Sequence, residues 1–254
     1  MSGSPQSRLR RTQTGLRLGV LQADSVRAEL QPDHGDYPAM FGAQLAPAAE
    51  ALGLELTVTT YDVEHGELPA VPDACDGYLI TGSRHSVYDP LPWIARLAEF
   101  VGAVRERALP LVGVCFGHQL LAHFFGGRVG RAAGGWAVGV HRSRVVARRS
   151  WMRPACDSLG LLSSHQDQVL ELPIDAEVYV SNEFCPHAGF TVGDHTMTIQ
   201  GHPEFCAAYA RELMGVRREV LGEPLYRSGI DSLAQPTEAD IMARWMLEFW
   251  SSRS

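Results

Sequence analysis

The first half of the chain has a rhythm that leaves few architectures open. Short apolar runs of strand length alternate with longer segments whose apolar residues recur every three or four positions. Residues 16–23, 54–63, 76–81 and 110–114 read as strands. Met40, Phe41, Leu45, Ala48, Ala49 and Leu52 lie at helical spacing and are stopped by Gly53. Ile94, Leu97, Phe100, Val101 and Val104 mark a second helix over residues 93–107. Strands alternating with helices form a parallel sheet covered on both faces. Ligands of such sheets sit at the carboxyl ends of the strands. Residues 81–89 and 115–119 are therefore the candidate site segments.

The second half changes character. Residues 138–147 alternate Val with His or Arg, as a half-exposed strand does. Further short strands are expected at 169–172, 177–180, 189–192 and 196–200, and two helices at 204–221 and 238–250, with a loop over 222–236. The whole predicts a three-layer α/β sandwich around a mixed, mostly parallel sheet. It is expected to be one domain over residues 16–254, ending in the two helices. The Ser- and Arg-rich residues 1–15 read as a disordered lead-in without the apolar stretch of a secretory signal.

Composition removes several function classes. Among 254 residues, 22 basic and 29 acidic side chains leave a net charge of −7, which argues against nucleic-acid binding by general electrostatics. Lys is absent, which excludes Schiff-base chemistry and a P-loop lysine. No apolar run is long enough to span a bilayer, so no membrane partner is expected. Cys75, Cys115, Cys156, Cys185 and Cys206 are an odd, scattered set that suits a reducing cytoplasm better than a disulfide framework. Cys185 with His187, and His202 with Cys206, are tight Cys/His spacings but form no zinc tetrad. No metal or cofactor is expected. Arg142, Arg144, Arg148 and Arg149 read as a solvated face, and Trp136, Trp151, Trp245 and Trp250 as core or a helix seam.

The segment Gly113-Val114-Cys115-Phe116-Gly117-His118-Gln119 ends an apolar strand and opens a helix. Glycine two residues either side of a nucleophile type is the pattern of a nucleophile elbow. A sharp strand-to-helix turn strains the backbone at the central residue, and flanking glycines remove Cβ clashes. The helix N-terminus stabilises negative charge, and the N–H of Phe116 can donate to an oxyanion. The alternative is a core cysteine in a glycine-rich turn.

A thiol attacking an amide needs a base that later becomes an acid. His202 lies in Gly201-His202-Pro203-Glu204, just beyond the run 196–199, and so on the rim of Cys115 if that strand is parallel. Glu204 is placed to hold the imidazole in one tautomer. The other reading of Pro203-Glu204 is a helix start.

These two motifs, in this order, resemble those of class I (triad-type) glutamine amidotransferases, notably the glutaminase domain of GMP synthase and stand-alone γ-glutamyl peptidase-like relatives. The resemblance spans residues 16–221 and implies a flavodoxin-like sandwich. It also implies a Cys115–His202–Glu204 triad that cleaves a γ-glutamyl amide through a thioester. By the same match Gln119 helps hold substrate, and Phe116 supplies half of the oxyanion hole. The other half comes from the loop at Gly82, where Ser83 and Arg84 replace the Gly and Pro of the larger synthases. Ser164 and His165, in the segment 163–167, match the position that holds the substrate's α-amino and α-carboxylate groups; His165 also reads as a structural histidine.

Three functions follow. The first is a glutaminase donating ammonia to a separate synthetase subunit, since the residues after Glu204 carry no Ser-Gly-Gly-x-Asp loop. The second is a partner-independent γ-glutamyl peptidase or hydrolase. The third is a non-catalytic regulatory module, because a fold alone proves no activity.

Overall fold

The structure, a computed structural model, describes residues 15–252; the segment read as a lead-in lies outside the described residues apart from Gly15. In chain order the strands are β1 (Gly15–Gln22), β2 (Glu55–Asp62), β3 (Gly77–Ile80), β4 (Leu111–Val114), β5 (Arg128–Arg131), β6 (Ala137–Val145), β7 (Ser158–His165), β8 (Asp167–Glu171), β9 (Ala176–Ser181), β10 (Gly189–Val192) and β11 (Thr196–Ile199). The helices are α1 (Gln31–His34), α2 (Tyr37–Leu52), α3 (Pro92–Glu106), α4 (Phe116–Phe124), α5 (Ala207–Val216), α6 (Arg218–Leu221), α7 (Glu223–Ser232) and α8 (Ala239–Ser251).

Nine strands form one sheet in the order β2-β1-β3-β4-β11-β10-β9-β6-β7, and β5 pairs with β8 in a separate ribbon. The five strands from β2 to β11 are mutually parallel. The other four extend the sheet in antiparallel fashion. This is the expected mixed sandwich. One face buries Leu18 and Val20 against Phe41 and Leu45 of α2 and Trp245 of α8. The opposite face buries Tyr78 and Ile80 against Leu97 and Val101 of α3 and Leu120 of α4.

Local chemistry explains the helix ends. Asp36 caps α2, its carboxylate accepting from the N–H of Tyr37. Gly53 closes the same helix at φ 66, and its N–H reaches back to Ala49 and Glu50.

The end of the chain departs from expectation. Pro203-Glu204 does not start a helix; α5 begins at Ala207, with the Cys206 sulfur accepting from Tyr209 N–H. The expected long helix breaks at Arg217, and the expected loop over 222–236 contains α7. Pro224 is no obstacle at a first turn. Gly229 marks a close approach instead, since a Cβ there would lie 2.6 Å from the Met214 sulfur. Strands β5 and β7 were also not expected. Trp151, Trp245 and Trp250 are core, whereas half-buried Trp136 packs beside α7 residues and under Arg217. Arg142, Arg148 and Arg149 pair with Glu238, Asp157 and Glu177 on the surface. Among the described residues, no helix is long and apolar enough to cross a membrane.

Candidate active site

Three parallel strands stop side by side. Ile80 of β3 is level with Gly113, and Ile199 of β11 with Val114. Thr81-Gly82, Cys115 and Gln200-Gly201-His202 therefore leave the sheet at one rim, the carboxyl end that the topology favours for ligands.

Cys115 carries the strain of the turn. Its φ is 51 and ψ −99, a region that side-chain-bearing residues rarely occupy. The backbone holds it there from both sides. Its N–H donates to Ile199 carbonyl at 2.9 Å, and its carbonyl accepts from Gln119 N–H at 3.0 Å. The flanking glycines work by close approach rather than by conformation. A Cβ on Gly113 would sit 2.6 Å from the Gly117 carbonyl, and one on Gly117 would sit 2.5 Å from the Ile80 oxygen. The Cys115 side chain stands at the N-terminus of α4, and the Phe116 N–H has no acceptor among the described residues.

His202 is fixed by its own backbone. Its N–H donates to Leu162 carbonyl of β7 at 2.7 Å. The ring nitrogen Nδ1 meets Glu204 Oε1 at 2.7 Å. The ring stacks on Phe205, centroid to centroid 3.9 Å at 7°, and lies beside Cys115, both side chains abutting Gly82. Burial opposes charge on this imidazole, but Glu204 and Cys115 outweigh it and push its pKa up to about 10. The ring thus stands between a carboxylate and a sulfur. Gly82 closes the group from above, for a Cβ there would lie 3.0 Å from His202 Cε1.

Access is through a cleft with two lobes. Cys115 is 5% exposed, yet it lines both a cavity of about 280 Å³ and a neighbouring one of about 220 Å³. The sulfur is shielded from bulk water without being sealed in core. A larger cavity, about 820 Å³, opens beside Pro110 and His195. It adjoins the amino ends of β4 and β11, away from this chemistry.

The other expected residues gather around the cleft. Ser83 lines both lobes. The loop at Gly82 is pinned by Asp24, whose carboxylate accepts from Arg84 N–H at 2.7 Å and pairs with the Arg84 guanidinium. Asp167 ties the loop to the segment 163–167 by accepting from Ser86 and Tyr88 hydroxyls. Gln119 borders the smaller lobe, and its Nε2 donates to Asp167 carbonyl at 2.8 Å. Ser164 borders both lobes and accepts from Arg217 Nη1 at 2.5 Å. His165 lines the smaller lobe, donates from Nδ1 to Asp167 carbonyl at 2.9 Å, and is kept neutral chiefly by burial, its pKa lowered to about 3.

Sequence reasoning missed Phe205 and Arg217. Phe205 directly follows Glu204, and an aromatic abutting the histidine motif was a usable signal. Arg217 reaches the cleft from the C-terminal end of α5, and nothing in the local sequence announces it.

The family model described as glutamine amidotransferase class-I matches residues 35–213. Gamma-glutamyl peptidase 3 of Arabidopsis thaliana is 36% identical over 141 residues, an alignment covering 52% of this chain and 56% of that protein's length. Gamma-glutamyl peptidase 2 of the same plant is 31% identical over 196 residues, covering 74% and 76%. A GMP synthase of Porphyromonas gingivalis is 28% identical over 165 residues, 65% of this chain and 32% of that one. A glutamine amidotransferase structure from Thermotoga maritima superposes with a TM-score of 0.73 at 18% identity, covering 93% and 98%, and shares the fold. The family match takes in the strained cysteine turn and the histidine–glutamate pair together, and the chain belongs to the class I glutamine amidotransferases.

Proposed function

We propose that the protein hydrolyses γ-glutamyl amides, with Cys115 as nucleophile, His202 as acid and base, and Glu204 as the group that orients His202. The observation that carries this reading is a single imidazole bonded to Glu204 and set beside Cys115 at the mouth of a cleft. The Cys115 thiolate attacks the γ-carbonyl carbon. The oxyanion so formed is stabilised by the Phe116 N–H and by backbone donors of the Gly82-Ser83 loop. His202 gives its proton to the departing nitrogen as the C–N bond breaks, leaving a γ-glutamyl thioester on Cys115. Neutral His202 then takes a proton from water, whose oxygen attacks the thioester and releases glutamate and the thiolate.

Between the two enzymatic readings, self-sufficient hydrolysis of γ-glutamyl peptides is supported by the two-lobed cleft and by the named peptidase relatives. Delivery of ammonia to a separate synthetase is supported by the likeness to GMP synthase. The test is to incubate the purified chain with glutamine and with γ-glutamyl dipeptides, reading glutamate, ammonia and free amine. Turnover of dipeptides without a partner is the expected result. Activity on glutamine alone, and only when a partner is added, would favour transfer.

A further inference from the structure

Three guanidiniums line the larger lobe, those of Arg27, Arg84 and Arg217. Arg27 pairs with Glu29, and Arg84 with Asp24 and Glu64. Arg217 has no carboxylate partner among the described residues. It gives one hydrogen bond, to Ser164, and its guanidinium sits 5.2 Å from the Trp136 ring centroid. It is half-buried, and burial is the main influence on it, acting against its charge. A guanidinium has five N–H donors in a fixed fork matched to a carboxylate. Most of that fork is uncommitted here.

The two lobes differ in character. The smaller is bordered by Gln119, His165 and Asp167, the side to which the family resemblance assigns the glutamyl half. The larger is lined mostly by polar and charged side chains, with Tyr37, Phe205 and Tyr209 on one side. Tyr37 stacks on Phe205 at 6.4 Å, and Phe205 meets Tyr209 edge-on at 4.6 Å. Arg217 borders both lobes beside Cys115. If the glutamyl group fills the smaller lobe, the larger one lies on the amine side of the scissile bond. Release of ammonia alone requires no such space.

Building on the hydrolase reading, we infer that the larger lobe holds the leaving half of a γ-glutamyl peptide and that Arg217 binds its terminal carboxylate. The favoured substrates are then γ-glutamyl amino acids or short peptides whose leaving residue carries a free carboxylate. The lobe's volume, about 280 Å³, is at the small end of ligand pockets and suits a leaving group of this size.

The test compares kcat/KM for γ-glutamyl-phenylalanine and for the same compound with its phenylalanine carboxylate amidated. A charge-assisted bond gives the wild type a preference of about 10- to 100-fold for the free acid. Arg217→Gln should bring that ratio to about one, and Arg217→Lys, which keeps the charge without the fork, to an intermediate value. A wild-type ratio near one overturns the inference, and so does an undiminished ratio in Arg217→Gln. If Arg217→Gln does not fold, the wild-type and Arg217→Lys ratios decide. Hydrolysis of glutamine but of neither dipeptide overturns the pocket and leaves the chemistry standing. Hydrolysis of none of the three removes the proposed function, and the pocket with it.

Discussion

Glu204→Gln separates the charge of the orienting group from its shape. In the protein the Glu204 side chain is wholly buried, and Oε1 lies 2.7 Å from His202 Nδ1. A hydrogen bond to a charged partner contributes about 1.5–3 kcal/mol. At about 1.4 kcal/mol per tenfold, its loss costs 10- to 150-fold in rate. A glutamine can also present its NH2 group to Nδ1 and select the wrong tautomer, and the corresponding change in a serine protease triad costs about 10⁴-fold. The expected loss of kcat/KM on a γ-glutamyl dipeptide is therefore about 10²- to 10⁴-fold.

The same substitution makes a prediction about pH. Glu204 is the largest contributor raising the His202 pKa to about 10, against burial. His202 must be protonated to expel the amine, so the wild-type rate should persist above neutrality and fall as the pH approaches about 10. Without the Glu204 charge, burial and the remaining Cys115 contribution set the value, and the alkaline limb should move to lower pH. The assay is kcat/KM from pH 5 to 10.5 for both proteins, with circular dichroism to show that each stays folded. An unmoved alkaline limb together with a rate within about threefold of wild type would mean that Glu204 does not govern His202, and the triad reading would fail.

Cys115→Ala should remove at least about 10³-fold of glutamate release, on triad precedent; near-full turnover would rule out thioester chemistry. Gly117→Ala places a Cβ 2.5 Å from the Ile80 oxygen. Such overpacking costs about 2 kcal/mol, and differential scanning calorimetry should show a Tm lower by about 4–8 °C. Its rate should also fall, because α4 carries Cys115, and wild-type values for both would refute the close-packing argument. His118 and His165 are each held neutral mainly by burial, their pKa values lowered to about 3. An unfolded chain binds protons at these positions below about pH 6.5, so stability should decline as the pH falls from there towards 3. The slope is about 1.4 kcal/mol per pH unit for each histidine. His118→Phe should reduce the slope measured by urea unfolding; an unchanged slope would show that His118 does not contribute to it.

The sequence was most legible where one periodicity ruled a segment. The parallel strands and helices α2 and α3 repeat apolar residues at unambiguous spacing. The cysteine turn was readable because close packing admits only glycine at 113 and 117. The tail was harder. Helix α7 buries only a modest apolar side around Leu225, Tyr226 and Ile230, and Pro224 and Gly229 imitate loop punctuation. Strand β7 reads Ser-Leu-Gly-Leu-Leu-Ser-Ser-His, buried along most of its length, so it lacks the alternation that reveals a half-exposed strand. Arg217 could not be found this way at all, since its role depends on how α5 ends against β7.

The missed strand is also what completes the site. Strands β3, β4 and β11 bring Gly82, Cys115 and His202 to one rim, but they do not hold the backbone of His202 in place. That task falls to β7, whose Leu162 carbonyl takes the His202 N–H at 2.7 Å and whose end presents Ser164 and His165 to the cleft. The antiparallel half of the sheet is thus more than an extension. It folds back across the rim of the parallel half, carrying the second wall of the cleft and a backbone anchor for the base. A parallel sheet alone would expose a strained cysteine at a helix N-terminus. Such a cysteine has an oxyanion donor but no oriented proton carrier, and amide cleavage requires both.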